Sequence, residues 1–254
     1  MFFCAGCPHN SVAYALAELT RRMKPSPPVA GDIGCYVLMA MPPYKLGDVK
    51  YSMGASISVA SGISAATGQK AVAVIGDGTF FHSGIPGLIN AVYNGGDIVV
   101  IIVDNGITGM TGRQPNPGTG SRSDGQASPK INIEEIVSAI HPASLEVVDA
   151  YDTAAVKKAL VQAFKTPGVA VVIARQMCAM EAARRKQREG KKVVRYQIDP
   201  EKCIQCMLCV TRFNCIALSK LADGMSIDDT CVGCGVCAQI CPNKAIMPIS
   251  DGGV

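Results

Sequence analysis

Tryptophan is absent from the 254-residue sequence, histidine occurs three times, and aromatic residues make up only 5% of it. No apolar run reaches the ~18 residues of a membrane-crossing helix, so no membrane span is expected. The opening Met1-Phe2-Phe3-Cys4 lacks the basic and apolar regions of a signal peptide, and the reading is a cytoplasmic protein. A net charge of +4 gives no argument for a nucleic-acid partner. Low-complexity stretches are missing too. What remains, 48% hydrophobic residues in a chain of this length, is enough for one large domain and one small one.

Cysteine, by contrast, is abundant, with twelve in all. A secreted disulfide scaffold would be shorter and would not carry an α/β pattern. Cys-x2-Cys spacing in a cytosolic chain points to metal instead.

The large domain is organised around residues 71–107. Ala71–Ile75 and Ile98–Val103 are short β-rich apolar runs, suited to strands buried on both faces of a parallel sheet. Leu88, Ile89, Val92 and Tyr93 give an apolar face at helical spacing between them. In this βαβ unit the polar residues lie at the carboxyl ends of both strands, where ligands bind in open α/β sheets. Gly76 and Gly78 let the backbone approach a bulky anion, and a helix starting near Thr79 would aim free N–H groups at a phosphate. Asp77 and Asn105 offer hard oxygen ligands, and the Ile107 carbonyl a third, a set that suits Mg²⁺ shared with substrate phosphates. A Gly-Asp-Gly run alone is as readily a plain turn. The asparagine at the next strand end, 28 positions after Asp77, favours the diphosphate–Mg²⁺ reading.

Around this unit the sequence alternates helix and strand. A helix follows Cys7-Pro8 and ends before Pro25, Val29–Ile33 is a strand, and Met53–Thr67, rich in Gly, Ala and Ser, is a closely packed helix. After Asn105 comes a Gly- and Pro-rich loop long enough to be functional, expected to cover a cofactor. Helices are expected over Asn132–His141 and Thr153–Lys165, and strands over Leu145–Val148 and Val169–Ala174. The fold class is therefore α/β, a doubly wound, mostly parallel sheet, followed by a small α+β domain. The divisions fall at 1–178, a basic linker 179–196 and 197–254. Arg184, Arg185, Lys186, Arg188, Lys191 and Lys192 make that linker a solvated helix or a docking surface for an acidic partner.

The C-terminal cysteines carry the most specific signal. Cys231-x2-Cys234-x2-Cys237-x3-Cys241-Pro242 matches the bacterial ferredoxin run, and Cys203-x2-Cys206-x2-Cys209-x5-Cys215 is a second copy with a longer last gap. In two-cluster ferredoxins the fourth cysteine crosses over. Cys203, Cys206, Cys209 and Cys241 then hold one 4Fe–4S cluster, and Cys215, Cys231, Cys234 and Cys237 the other. Zinc sites use two pairs of cysteines rather than three in sequence with a fourth beside proline. Cys4, Cys7, Cys35 and Cys178 remain. Cys4 and Cys7 form a ligand pair, and the other two follow strand ends on the same side of the sheet; the bland alternative for these two is a pair of buried structural thiols. His9 and His82 stand beside motif residues, where each is as readily a polar group that positions its loop as a catalytic one; His82 is the candidate catalytic group, for contact with the substrate or a proton near neutral pH. His141, before a proline at a helix end, reads as structural.

Gly76-Asp77-Gly78 with Asp104-Asn105 resembles the thiamine diphosphate motif. The wider runs Phe81-His82-Ser83-Gly84 … Gly87-Leu88-Ile89-Asn90-Ala91-Val92-Tyr93-Asn94 and Met110-Thr111-Gly112-Arg113-Gln114-Pro115-Asn116-Pro117-Gly118-Thr119-Gly120 resemble indolepyruvate ferredoxin oxidoreductase, within the 2-oxoacid:ferredoxin oxidoreductases. The resemblance covers nearly the whole chain. It implies thiamine diphosphate and Mg²⁺ held by Gly76, Asp77, Gly78, Thr79, Asn105, Ile107 and Thr111. It also implies a third 4Fe–4S cluster on Cys4, Cys7, Cys35 and Cys178, because Asp32-Ile33-Gly34-Cys35 and Arg175-Gln176-Met177-Cys178 are similar to segments that hold a cluster near thiamine in related enzymes. The implied reaction is oxidative decarboxylation of a 2-oxo acid, an aryl one such as indolepyruvate, phenylpyruvate or phenylglyoxylate by preference. Coenzyme A takes the acyl group, and ferredoxin or a flavin- or NAD-linked subunit takes the electrons. The family's pyrimidine-binding domain has no counterpart here, so the expectation is a split subunit needing a partner that carries this domain, together with a gamma-type subunit. The rival reading is an iron–sulfur electron-transfer subunit whose thiamine domain is non-catalytic.

Overall fold

In the computed structural model, which describes residues 2–191, 193–222 and 224–249, the chain enters through α1 (Pro8–Thr20). Pro8 occupies its first turn, where no backbone N–H is needed. Short strands β1 (Val29–Gly31) and β2 (Val49–Lys50) flank a 3-10 turn, Cys35–Ala40. Helix α2 (Ser56–Thr67) stops at Gly68 in the left-handed conformation. Strand β3 (Ala71–Gly76) runs straight into a continuous helical segment made of α3 (Asp77–Thr79), a π-helical turn (Phe80–Gly84) and α4 (Ile85–Tyr93). Then come β4 (Ile98–Asp104), α5 (Ile133–Ala139), β5 (Ser144–Asp149), α6 (Thr153–Lys165) and β6 (Ala170–Arg175). The remainder is α7 (Ala179–Arg188), β7 (Tyr196–Ile198), α8 (Leu208–Thr211), β8 (Leu218–Leu221), β9 (Gly224–Ile227), α9 (Val236–Ile240) and β10 (Ile246–Pro248).

The first six strands form one parallel sheet in the order β2-β1-β3-β4-β6-β5. Central strands β3 and β4 are buried on both faces, which is why their sequences are unbroken apolar runs rather than alternations. From β1 the chain moves outward to β2 and then crosses back to β3. The winding therefore reverses between β1 and β3, and a crevice opens at their carboxyl ends.

Side chains of β3 alternate between two cores. Val72 and Val74 face α1 and α6, while Ala71, Ala73 and Ile75 face α2 and α4. The first core does not stop at the α/β layers but continues through Phe213, Leu218, Val236 and Ile246. The small domain, with antiparallel pairs β7·β10 and β8·β9, is thereby docked on the α1/α6 side. Tyr14 meets Phe213 edge-to-face at 5.8 Å. Asn10 Nδ2 donates to the Phe213 carbonyl at 3.1 Å, and the Tyr44 hydroxyl donates to it as well. Thr153 Oγ1 donates to Gln239 Oε1 at 3.0 Å, tying α6 to α9.

Three local expectations are corrected. Helix α2 begins at Ser56 rather than Met53, because the buried Asp32 carboxylate accepts the Gly54 and Ser56 N–H groups at 2.7 and 2.9 Å and holds residues 53–55 as an entering turn. The helix after β3 begins at Asp77 rather than near Thr79. On α4 the buried face is Gly87, Leu88 and Ala91, with Ile89 50% and Tyr93 86% exposed. The close approach of α2 decides this, since a Cβ on Gly87 would already lie 3.4 Å from the Ile57 Cβ. Of the basic run, residues 184–188 lie on α7, and Lys192 falls outside the described residues. Among the described residues no helix is long and apolar enough to cross a membrane.

Candidate functional site

A cleft of about 160 Å³ lies at the carboxyl ends of β1, β3 and β4, where the winding reverses. Three segments form it: residues 33–36 after β1, 76–79 after β3 and 105–111 after β4, with His9 from the start of α1 and Met53 from the turn held by Asp32. Gly76, Asp77, Gly78, Thr79, Asn105, Ile107 and Thr111 all line it. Asp77 is 3% exposed and Asn105 4%. Each is the first residue beyond or at the end of a buried strand, so the sheet register sets their spacing.

The two glycines do more than admit an anion. A Cβ on Gly76 would lie 2.9 Å from the Tyr36 ring, and one on Gly78 would overlap the Thr108 hydroxyl. They are small so that the walls of the cleft can close. Tyr36 donates to the Ile33 carbonyl at 2.7 Å and Thr79 Oγ1 to the same carbonyl at 3.2 Å, fixing the β1 and β3 ends together. The π-helical turn that follows is a feature enriched at functional sites.

Asp77 carries the one carboxylate among the cleft's lining residues. Burial pushes its carboxyl up to about 6, and the Asn116 hydrogen bond opposes the shift. Asn116 Nδ2 donates to Asp77 Oδ2 at 2.8 Å, while Asn116 Oδ1 accepts from Gly118 N at 2.9 Å. The glycine- and proline-rich loop thus reaches back to orient the carboxylate. Sequence reasoning missed this role: Asn116 lies within a quoted motif, but nothing in its spacing marks which strand end it meets. Asn105 Oδ1 accepts from Ile107 N at 3.1 Å, an Asx turn that directs the strand exit. The hard oxygens of Asp77 and Asn105, both buried beside the start of a helical segment, fit a divalent cation shared with a diphosphate.

His82 is exposed on the π-helical turn and lies outside the cleft lining. The histidine that reaches the cleft is His9, whose imidazole burial lowers to about 4.

The cysteines fall into three neighbourhoods. Cys203, Cys206, Cys209 and Cys241 surround one apolar cavity, and Cys215, Cys231, Cys234 and Cys237 surround another. Each cavity thus takes three cysteines from one run and the fourth from the other. Burial pushes the Cys209 and Cys215 thiols up to about 11 each. Such groups become thiolates when metal takes the proton's place. The longer gap before Cys215 is taken up by the turn between α8 and β8. The third neighbourhood adjoins the cleft. Burial raises the Cys35 thiol to about 11, and Cys178 and Cys4 press in the same direction. Cys7 is raised by burial and then by Cys35. Cys178 N donates to the Asn105 carbonyl at 2.9 Å. A Cβ on Gly109 would lie 3.5 Å from Cys35 Sγ and 3.8 Å from Asn105 Nδ2, so Cys35 and Asn105 share a wall. Among the described residues no three His, Cys, Asp or Glu side chains converge as a single ion requires. A 4Fe–4S cluster would be held by four thiolates around it rather than by convergence on one ion.

Comparison with known proteins agrees with this architecture. The family described as thiamine pyrophosphate enzyme, C-terminal TPP binding domain, matches residues 32–174, and the 4Fe-4S binding domain matches residues 227–247. The sequence is 46% identical to indolepyruvate oxidoreductase subunit IorA of Archaeoglobus fulgidus, over 96% of this chain and 39% of that protein. It is 39% identical to the IorA subunit of Pyrococcus horikoshii, over 98% of this chain and 40% of that one. The chain therefore spans about two-fifths of these curated relatives. In fold it is similar to a 2-oxoglutarate:ferredoxin oxidoreductase from Magnetococcus marinus (TM-score 0.57, 21% identity, 69% of this chain and 63% of that one).

Proposed function

This chain belongs to the thiamine pyrophosphate enzymes, and we propose that it is the cofactor- and cluster-bearing part of a 2-oxoacid oxidoreductase that decarboxylates an aryl 2-oxo acid to an acyl-CoA. The observation that carries the reading is the adjacency of two sites: the Asp77–Asn105 cleft and the Cys4/Cys7/Cys35/Cys178 neighbourhood share a wall through Asn105 and Gly109.

Asp77 and Asn105, with the Ile107 carbonyl, would hold Mg²⁺ for the diphosphate, and Asn116 aims the Asp77 carboxylate. Thiamine diphosphate, when bound, would supply a nucleophilic carbon and an electron sink for decarboxylation of a 2-oxo acid. Tyr36, 2% exposed, lines the cleft and closes its wall against Gly76. The aminopyrimidine half of the site is completed by a pyrimidine-binding domain from elsewhere in the complex, beside a gamma-type subunit. The relatives' names, subunits IorA, KorB and VorA, support such an assembly.

Twelve cysteines in three groups would hold three 4Fe–4S clusters, which would supply a one-electron route away from the cleft. The first lies on Cys4, Cys7, Cys35 and Cys178. The second, on Cys215, Cys231, Cys234 and Cys237, is next, because Ala5 and Gly6 of the Cys4–Cys7 turn line its cavity. Tyr151 anchors that turn by donating to the Gly6 carbonyl. The third, on Cys203, Cys206, Cys209 and Cys241, ends the series, and the exposed Cys206 with Ile204, 63% exposed, leaves it open to a partner. Ferredoxin or a flavin- or NAD-linked subunit accepts there.

Methyl viologen reduction by the anaerobically purified complex tests the reading. Turnover should need an aryl 2-oxo acid, coenzyme A, thiamine diphosphate and Mg²⁺ together, and this chain alone should show none. Decarboxylation without viologen reduction would refute it.

A further inference from the structure

The Cys4–Cys7 turn places an aromatic ring between the cofactor cleft and the nearest group of thiols. Cys7 is the N-cap of α1, and His9 lies in that helix's first turn. Its Nδ1 is 3.5 Å from Cys7 Sγ. The imidazole is 2% exposed and lies tilted against the Tyr36 ring at 5.6 Å. Tyr36 in turn packs on Gly76, at the head of the diphosphate corner. Gly76, Tyr36, His9 and Cys7 thus form one contiguous chain of contacts from cofactor cleft to sulfur.

We propose that His9 is a positioning residue for the cluster nearest thiamine, its ring donating an Nδ1–H hydrogen bond to the Cys7 sulfur and thereby raising that cluster's reduction potential so that it accepts electrons from the cofactor cleft. This rests on the reading of Cys4, Cys7, Cys35 and Cys178 as cluster ligands. A ligating thiolate has no proton to give, so the ring must be the donor. That fixes the tautomer with hydrogen on Nδ1 and leaves Nε2 as an acceptor. A hydrogen bond to a ligand sulfur withdraws charge from it and favours the reduced cluster, one of the levers that set cluster potentials. The Asn10 N–H donates to the Cys7 carbonyl at 3.0 Å, so the His9 ring is the group that reaches the sulfur itself.

The proposal is tested by redox titration of the anaerobic holo-complex, followed by electron paramagnetic resonance, with iron counted in the same samples. His9→Phe keeps a ring and removes the donor, whereas His9→Asn places an amide N–H near the Nδ1 position. Expected are about twelve irons per chain in all three proteins. At a fixed potential, the ratio of reduced to oxidised first cluster should fall about tenfold in His9→Phe, equal to 59 mV for a one-electron couple, and recover in His9→Asn. Twelve irons with an unchanged potential in His9→Phe would overturn the role of His9 and leave the cluster reading standing. About eight irons in the unmutated protein would instead remove the third cluster, and the proposal with it. Should His9→Phe lose iron, the unmutated protein decides: with ¹⁵N-histidine in this chain, pulsed resonance on the reduced first cluster should show a nitrogen coupling. No coupling would refute the hydrogen bond.

Discussion

The backbone N–H of Cys178 donates to the carbonyl of Asn105 at 2.9 Å. One hydrogen bond therefore joins the residue offered as a Mg²⁺ ligand to a residue offered as a cluster ligand. It forms because β4 and β6 are parallel neighbours, with Asp104 paired to Arg175, so their exits run side by side. The Arg175 guanidinium reinforces the pairing with ion pairs to Asp104 at 2.7 Å and Glu134 at 2.9 Å.

Loss of the Asp77 carboxylate should remove cofactor retention without removing iron. Asp77→Asn is expected to abolish measurable Mg²⁺-dependent thiamine diphosphate binding. Asn116→Ala, which leaves the ligand but not its partner, should weaken it by about 10–100-fold. Calorimetric titration with iron analysis of the same samples measures both. Full affinity in Asn116→Ala would show that the 2.8 Å contact does not orient the carboxylate.

The raised Asp77 carboxyl gives cofactor binding a pH dependence. Folding raises this group from 3.8 to about 6, so without metal its ionisation costs stability progressively as pH rises between those values, and the cost is fully present above about 6. Mg²⁺ needs the carboxylate and relieves that cost. The thermal stabilisation by Mg²⁺ and thiamine diphosphate should be largest at pH 7.5 and shrink as pH falls through 6. Equal melting shifts at pH 7.5 and pH 5.5 would contradict this.

Single cysteine substitutions should follow the crossed grouping rather than sequence proximity. Cys241→Ala should cost the cluster of Cys203, Cys206 and Cys209, and Cys215→Ala the cluster of Cys231, Cys234 and Cys237. Each loss removes about four irons. The two variants have distinguishable resonance signals because only one loses the surface-nearest cluster. Loss of the same cluster in both would refute the crossing.

The shared core predicts coupled unfolding. Phe213 packs on Tyr14 across the two domains, and Phe213→Ala should cost about 3–5 kcal/mol. A melt of the holoprotein should show one transition, lowered in the variant. Two well-separated transitions in the unmutated protein would mean that the small domain is only loosely docked.

Much of this was legible because the signals are local. The buried runs at 71–75 and 98–103 name their strands, and the ferredoxin spacings name the cysteines that gather around each cavity. Helix edges and helix faces were less legible, since they depend on partners distant in sequence. Asp32 sets the start of α2 from twenty-four positions upstream of Ser56, and α2 decides that Gly87 rather than Ile89 faces inward. Asn116 could not be paired with Asp77 by spacing, because a loop of no regular period carries it. Both His9 and His82 stood beside motifs, and only their burial separates them: one is enclosed in the cleft wall, the other exposed.

Freeze-quench electron paramagnetic resonance of the anaerobic complex, mixed with an aryl 2-oxo acid, tests most directly whether the cofactor cleft feeds the clusters. Reduced 4Fe–4S signals should appear on the timescale of CO₂ release, only with Mg²⁺ and thiamine diphosphate present, and should vanish in Asp77→Asn. CO₂ released at full rate while every cluster stays oxidised would contradict the link between the two sites.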